Sequence, residues 1–232
     1  MKKAIKITCI ILAIIITVVI VTTIIIVVFF PGLPYYILTK IQCGVIDNTL
    51  QEFKYYDYKN KENTKLVSVD DYEINIKSKC ELLSEDDENI LYEAKNEFAV
   101  IIFKSPLDFY VMFKDIDKEK YKDIYGINSD NFFELSKLML SIDYDDFDFQ
   151  DYNKSVILFT LAAQREIAYG FEEKCYLYEK DNIKGFILES EKMLVFQFYN
   201  TENLNEQYQI VFTKFNDKKV LYDMINTIVL KN

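Results

Sequence analysis

Two different hydrophobic rhythms divide the chain. From Ile7 to Phe30 the run ITCIILAIIITVVIVTTIIIVVFF carries no charge over 24 residues, and its only hydroxyl side chains, Thr8, Thr17, Thr22 and Thr23, can bond back to a helix backbone. As a helix it is about 36 Å long at about 1.5 Å per residue, enough to cross a hydrocarbon core of about 30 Å with some tilt. Helices buried in soluble domains rarely stay apolar beyond about 18 residues, so the pattern predicts a transmembrane helix over 7–30. The basic start Lys2, Lys3 and Lys6 also suits a secretory signal. A signal's apolar region, however, is about 7 to 15 residues, and no small-x-small cleavage site follows Phe30. An uncleaved single-pass signal-anchor is the expectation.

After Pro31-Gly-Leu-Pro34 breaks the helix, a loosely helical pattern runs from Tyr35 to about Phe53, and Lys59 to Lys65 is a polar connector. Residues 31–65 therefore read as a juxtamembrane stalk and connector, with Tyr35 and Tyr36 where interfacial aromatics usually sit. Residues 66–232 read as one domain. Leu66–Val69 and Tyr72–Ile76 have strand character, the second alternating with period two, and Ile90–Lys95 and Phe98–Lys104 make a further pair across Asn96-Glu97.

A helical middle follows. Asp117–Tyr125 closes at Gly126, Ser129 is placed to cap a helix over 130–141, and a third helix runs from Lys154 to Tyr169 and ends at Gly170. Lys174–Glu179, Lys184–Leu188, Met193–Tyr199 and Gln207–Thr213 predict four antiparallel strands, with Asp181-Asn182 as a turn. Asp217 is placed to cap a last helix through about Leu230. The predicted class is α+β: an N-terminal transmembrane helix, then one domain with an antiparallel sheet covered by helices. In element order alone, residues 66–230 resemble the α+β domain of the photosystem extrinsic proteins. No motif accompanies the resemblance, so it implies a fold and no function.

Charge gives the pattern an orientation. Of the 27 basic residues only Lys2, Lys3, Lys6 and Lys40 fall in 1–42, with no acid, which leaves 23 against 37 and a net charge of −14 for 43–232. Three Lys precede the apolar run and one follows closely, so the positive-inside rule places residues 1–6 in the cytoplasm and the remainder outside the cell membrane. An acidic domain repels phosphates, so a nucleic acid partner is not expected. The partners expected are the membrane, through residues 7–30, and another protein.

Composition narrows the chemistry. With no His, the chain has no Ser-His-Asp or Cys-His catalysis and no imidazole metal site. Cys9, Cys43, Cys80 and Cys175 contain no CxxC spacing. They read as small buried apolar residues, and Cys80 with Cys175 or Cys43 with Cys80 are the disulfide alternatives. Asp143, Asp145, Asp146, Asp148 and Asp151 put five carboxylates in nine residues, an oxygen set that calcium would suit. The EF-hand pattern fails at Phe147, Asp148 and Lys154, and the competing reading turns Phe147 and Phe149 inward and the acids outward.

Three lesser features complete the set. Glu85-Asp-Asp-Glu88 reads as a solvated turn. Arg165 beside Glu166 suits a structural ion pair, and Tyr55, Tyr56 and Tyr58 suit an exposed interface. The function expected is a membrane-anchored extracytoplasmic binding or interaction module rather than an enzyme. The alternative is an anchored envelope hydrolase using Asp/Glu or a divalent cation.

Overall fold

A computed structural model of the protein describes residues 2–43, 50–54, 63–106, 118–128, 131–170 and 174–231. Its described helices are α1 (Lys2–Phe29), α2 (Leu33–Gln42), α3 (Lys118–Tyr125), α4 (Phe132–Ser141), α5 (Tyr152–Tyr169) and α6 (Lys218–Ile225). Its described strands are β1 (Leu50–Glu52), β2 (Thr64–Ser68), β3 (Tyr72–Lys77), β4 (Glu81–Glu85), β5 (Asn89–Ala94), β6 (Phe98–Phe103), β7 (Lys174–Lys180), β8 (Ile183–Glu189), β9 (Met193–Asn200), β10 (Asn203–Thr213) and β11 (Val229–Leu230). The class is α+β, as the sequence predicts. The chain divides into two compact units, Met1–Asp47 with Ile142–Ala163, and Asn48–Ser141 with Gln164–Asn232. Residues 142–163, read above as the middle of a single domain, group with the N-terminal segment.

In the larger unit, eight strands form one sheet in the order β1-β7-β8-β9-β10-β6-β5-β4, and β11-β3-β2 form a second. Several features differ from the sequence expectation. Leu50–Glu52 is a strand parallel to β7, not helix, which makes the large sheet mixed rather than purely antiparallel. The strands over 64–77 belong to the small sheet instead of joining β5 and β6. The last helix stops at Ile225, and Val229 and Leu230 pair with Glu73 and Tyr72.

Alternation decides what each face of the large sheet buries. Ile187, Phe196, Phe198, Ile210 and Phe212 share the main core with Tyr72, Ile74 and Ile76 of β3 and with Leu221, Met224 and Ile225 of α6. Aromatic rings dominate that core. Tyr72 stands edge-on to Phe198 at 5.0 Å and to Tyr208 at 5.6 Å, and its hydroxyl donates to Phe103 O at 2.8 Å. Space for the rings comes from Gly185, which sits between Tyr178 and Phe198 in register. A Cβ there would lie 2.2 Å from Gln197 O, so the strands pass too closely for any side chain.

On the opposite face Phe133 of α4 stacks on Phe186 at 5.2 Å and meets Tyr199 edge-on at 5.6 Å. Cys43, Cys80 and Cys175 are buried and none is in a disulfide, so neither disulfide alternative forms. Burial pushes the Cys80 thiol upward, against the opposing pull of Lys65 and Lys79.

Candidate functional site

Sequence-predicted chemistry concentrates in the smaller unit. Helix α1 contains one stretch, Ile11–Phe29, long and apolar enough to cross a membrane, with a mean hydropathy of 3.4 and none of it buried. Two of its hydroxyls bond back to the helix: Thr17 Oγ1 donates to Ala13 O at 2.9 Å and Thr23 Oγ1 to Val19 O at 2.8 Å. The helix ends where Pro31 removes a donor, and Leu33 N–H closes a turn on Phe30 O at 3.0 Å.

Gly32, at that turn, makes the contact that organises the unit. Its N–H donates to Phe149 O at 2.9 Å, and a Cβ would lie 2.4 Å from both Asp148 O and Ser155 Oγ. With φ −79° and ψ −22° the backbone is ordinary, so glycine is needed here for proximity and not for conformation. Ser155 Oγ donates to the same Asp148 carbonyl at 2.8 Å, so the first turns of α5 hold the loop from the other side.

Above Gly32, α2 lays an aromatic face on the acidic loop. The Tyr36 ring is 5.1 Å from Phe149, 5.5 Å from Tyr144 and 5.7 Å from Phe147, all edge-on, a geometry worth about 0.5–1.5 kcal/mol per pair beyond burial. Tyr35 packs edge-on to Tyr152 at 5.4 Å, with a hydroxyl–hydroxyl bond of 3.0 Å that raises the Tyr35 phenol above its ordinary value. Lys40 lies 4.5 Å from the Tyr36 ring centre and 4.9 Å from that of Tyr144. The Tyr36 hydroxyl beside the ammonium raises the Lys40 pKa.

Most of the loop's carboxylates serve as caps. A 3₁₀ turn over Tyr144–Asp146 is closed by a capping box, with Asp145 N–H donating to Asp143 Oδ1 at 2.7 Å and Asp143 N–H to Asp146 Oδ2 at 2.9 Å. Asp148 Oδ1 accepts from Gln150 N–H at 2.9 Å, and Asp151 Oδ1 accepts from Lys154 N–H at 3.0 Å at the start of α5. Phe147 and Phe149 pack on Tyr36 while Asp145, Asp146, Asp148 and Asp151 are exposed; Phe147 is half-buried, but Phe149, expected to turn inward, stays exposed. The loop and Phe30 line an open concavity of about 450 Å³. Among the described residues, no group of three or more Cys, Asp or Glu side chains is gathered to hold a metal ion. The five carboxylates are close in sequence without converging on a point.

Of the remaining sequence candidates, Glu85-Asp-Asp-Glu88 forms the expected turn between β4 and β5. Asp86 Oδ1 accepts from Asn89 N–H at 2.6 Å and Glu88 N–H at 2.9 Å, and these two bonds hold its carboxyl below the ordinary range. Arg165 and Glu166 sit side by side on α5, the first half-buried and the second exposed. Tyr55, Tyr56, Tyr58 and the cap expected at Ser129 lie outside the described residues.

One polar cluster in the larger unit escaped the sequence reading. Tyr199 is wholly buried, its hydroxyl donating to Gln207 Oε1 at 2.5 Å and sharing a 3.1 Å hydrogen bond with Ser136 Oγ. Burial raises the phenol well above its usual value, and Tyr169 adds to the rise. Gln207 pairs with Tyr199 across β9 and β10, so the amide reaches a ring hydroxyl on its own face. The signal available in the sequence was Gln207 at the start of an otherwise apolar alternation.

The comparisons with known proteins supply no relative from which a role transfers: no protein-family model matches the chain, and no curated protein is significantly similar to it. The function rests on the chain's own physical chemistry.

Proposed function

We propose that the protein is a single-pass signal-anchor protein whose α1 spans the cytoplasmic membrane, with its N-terminus in the cytoplasm and an acidic module outside that binds another protein. The observation that carries the reading is the Ile11–Phe29 stretch, long and apolar enough to cross a membrane and not buried within the protein, which supports a lipid environment for it. Lys2, Lys3 and Lys6 before it, against Lys40 alone close after it, support an N-terminus on the cytoplasmic side. For the module, Leu66 on β2 and Leu82 and Leu83 on β4 are each more than half exposed, apolar positions at which a partner can be sought.

Topology and role are tested in intact cells. With different epitopes at the two ends, external protease is expected to remove the C-terminal epitope and leave the N-terminal one on a fragment that resists alkaline extraction. A C-terminal epitope protected until lysis, or release of the whole chain by alkali, overturns the reading. Photo-crosslinkers at Leu66, Leu82 and Leu83 are expected to yield one recurrent protein adduct in cells, and the absence of any adduct at all three removes the interaction role from this surface.

A further inference from the structure

The acidic loop is held closer to the proposed span than its place in the sequence suggests. Phe149 lies more than a hundred residues after the end of α1, yet its carbonyl accepts a 2.9 Å hydrogen bond from Gly32, three residues past Phe29. The Leu33 N–H to Phe30 O bond turns the chain back there, so Gly32 stays within the roughly 10 Å that three extended residues would span above the end of α1. The polar headgroup layer on each side of a bilayer is about 5–7 Å deep, taking about 40–45 Å overall and about 30 Å of hydrocarbon. Anything bonded to Gly32 is therefore at headgroup depth when α1 spans the membrane.

The side chains at that depth suit the layer. Phe149 is 37% and Tyr152 51% exposed, and Phe30, itself 39% exposed, lines the same concavity as Phe147 and Phe149. Aromatic rings collect at membrane interfaces because an apolar body and a polar edge or hydroxyl are both accommodated there. Asp145, Asp146 and Asp148 stand exposed beside them, and carboxylates are disfavoured against anionic lipid. The charge favours a zwitterionic surface, with the aromatic rings as the attachment.

We infer that the loop from Phe147 to Tyr152 is a second, interfacial membrane contact, with Phe149 and Tyr152 seated among the headgroups of a zwitterionic phospholipid layer next to the end of α1. The inference rests on the proposal that α1 spans the membrane. It replaces a free stalk with a loop clamped to the bilayer surface by Gly32, Tyr36 and Ser155.

The chain has no Trp, so each introduced one is a lone reporter. Phe30→Trp, Phe149→Trp and Tyr152→Trp full-length proteins are reconstituted in phosphatidylcholine vesicles, with and without bromination near the top of the acyl chains. Phe30→Trp, Phe149→Trp and Tyr152→Trp are expected to lose most of their emission in brominated vesicles and to be shielded from aqueous iodide. Iodide quenching with no bromolipid quenching at both Phe149→Trp and Tyr152→Trp, while Phe30→Trp stays lipid-quenched, overturns the loop contact and leaves the anchor standing. Loss of lipid quenching at Phe30→Trp as well overturns both.

Discussion

Replacing Gly32 by alanine isolates the close approach that ties the loop to the end of α1. The added methyl would sit 2.4 Å from Asp148 O and Ser155 Oγ and 3.1 Å from Phe149 Cα, well inside the roughly 3.5 Å at which nonbonded atoms attract. One of the two closest atoms is a backbone carbonyl, so a side-chain rotation cannot relieve the clash, and the loop must move by about 1 Å. That motion breaks the Gly32 to Phe149 hydrogen bond, a loss of about 0.5–1.5 kcal/mol, and adds an overpacking cost of about 1–3 kcal/mol. Against these, alanine has less backbone freedom than glycine to lose from the unfolded chain, an advantage of about 1 kcal/mol at a φ and ψ that alanine adopts without strain. The balance is a local destabilisation of about 0.5–3.5 kcal/mol.

Hydrogen exchange of the full chain in zwitterionic micelles measures it. Peptides covering 30–36 and 148–155 are expected to exchange faster by about twofold to a few hundredfold, since about 1.4 kcal/mol of local opening free energy is a factor of ten. Gly126→Ala is the control: nothing lies within 4 Å of its Cβ, and its φ of +68° makes the cost purely conformational. It should leave both peptides unchanged. Removing Ser155 Oγ as well is expected to restore protection only in part, because the Asp148 carbonyl remains. Unchanged exchange in Gly32→Ala would refute the steric reasoning.

Three further outcomes follow from other parts of the fold. Tyr199→Phe leaves Gln207 Oε1 and Ser136 Oγ buried without their hydroxyl partner and is expected to cost about 1–3 kcal/mol in denaturant unfolding, with Gln207→Leu recovering part of it in the double variant. The Asp86 carboxyl is held below its ordinary value in the folded state, so its contribution is fully present above about pH 4 and is lost as pH falls through the folded value. Asp86→Ala should therefore lower the melting temperature at pH 6 and converge with wild type in stronger acid. A difference that stays constant down the acid limb removes the carboxylate from that turn. Cys80, buried and shifted toward the protonated thiol, should react with thiol reagents at pH 8 far more slowly in the folded protein than in denaturant. Equal rates would place it at the surface.

Period-two patterns of adequate length made most of the large sheet legible from sequence. In β8 and β9 the apolar runs are long and turn residues bound them, with Asp181 adopting the positive φ of 53° that its side chain tolerates. Strand β1 was not legible, because three residues carry no period and their partner is Cys175–Leu177, more than a hundred residues away. Strand β4 was not legible either: Glu81–Glu85 is an exposed edge that buries no residue, so nothing forces its side chains to alternate. Val229-Leu230 continue the α6 apolar rhythm and read as helix, but the helix ends at Ile225 with Asn226 as its cap. In the candidate site the carboxylates were visible, but their roles as caps of the 3₁₀ turn and of α5 were not. That Gly32, Tyr35 and Tyr36 meet residues 144–159 was not visible, because a Pro-Gly break looks the same in sequence whether it points into solvent or onto another segment.

The pairing of β11 with β3 bears on how the protein is made. Val229 and Leu230 align with Glu73 and Tyr72, Thr227 Oγ1 accepts from Asn75 N–H at 2.9 Å, and Lys231 N–H donates to Asp71 O at 2.8 Å. The sheet that covers the aromatic core thus takes a strand from residues synthesised about 150 positions later. Until residues 227–231 have emerged, β3 lacks one neighbour and the rings of Tyr72, Phe198 and Tyr208 lack part of their cover. A nascent chain stalled short of that point would display an unfinished strand edge, the kind of surface that chaperones bind and that aggregates when they do not.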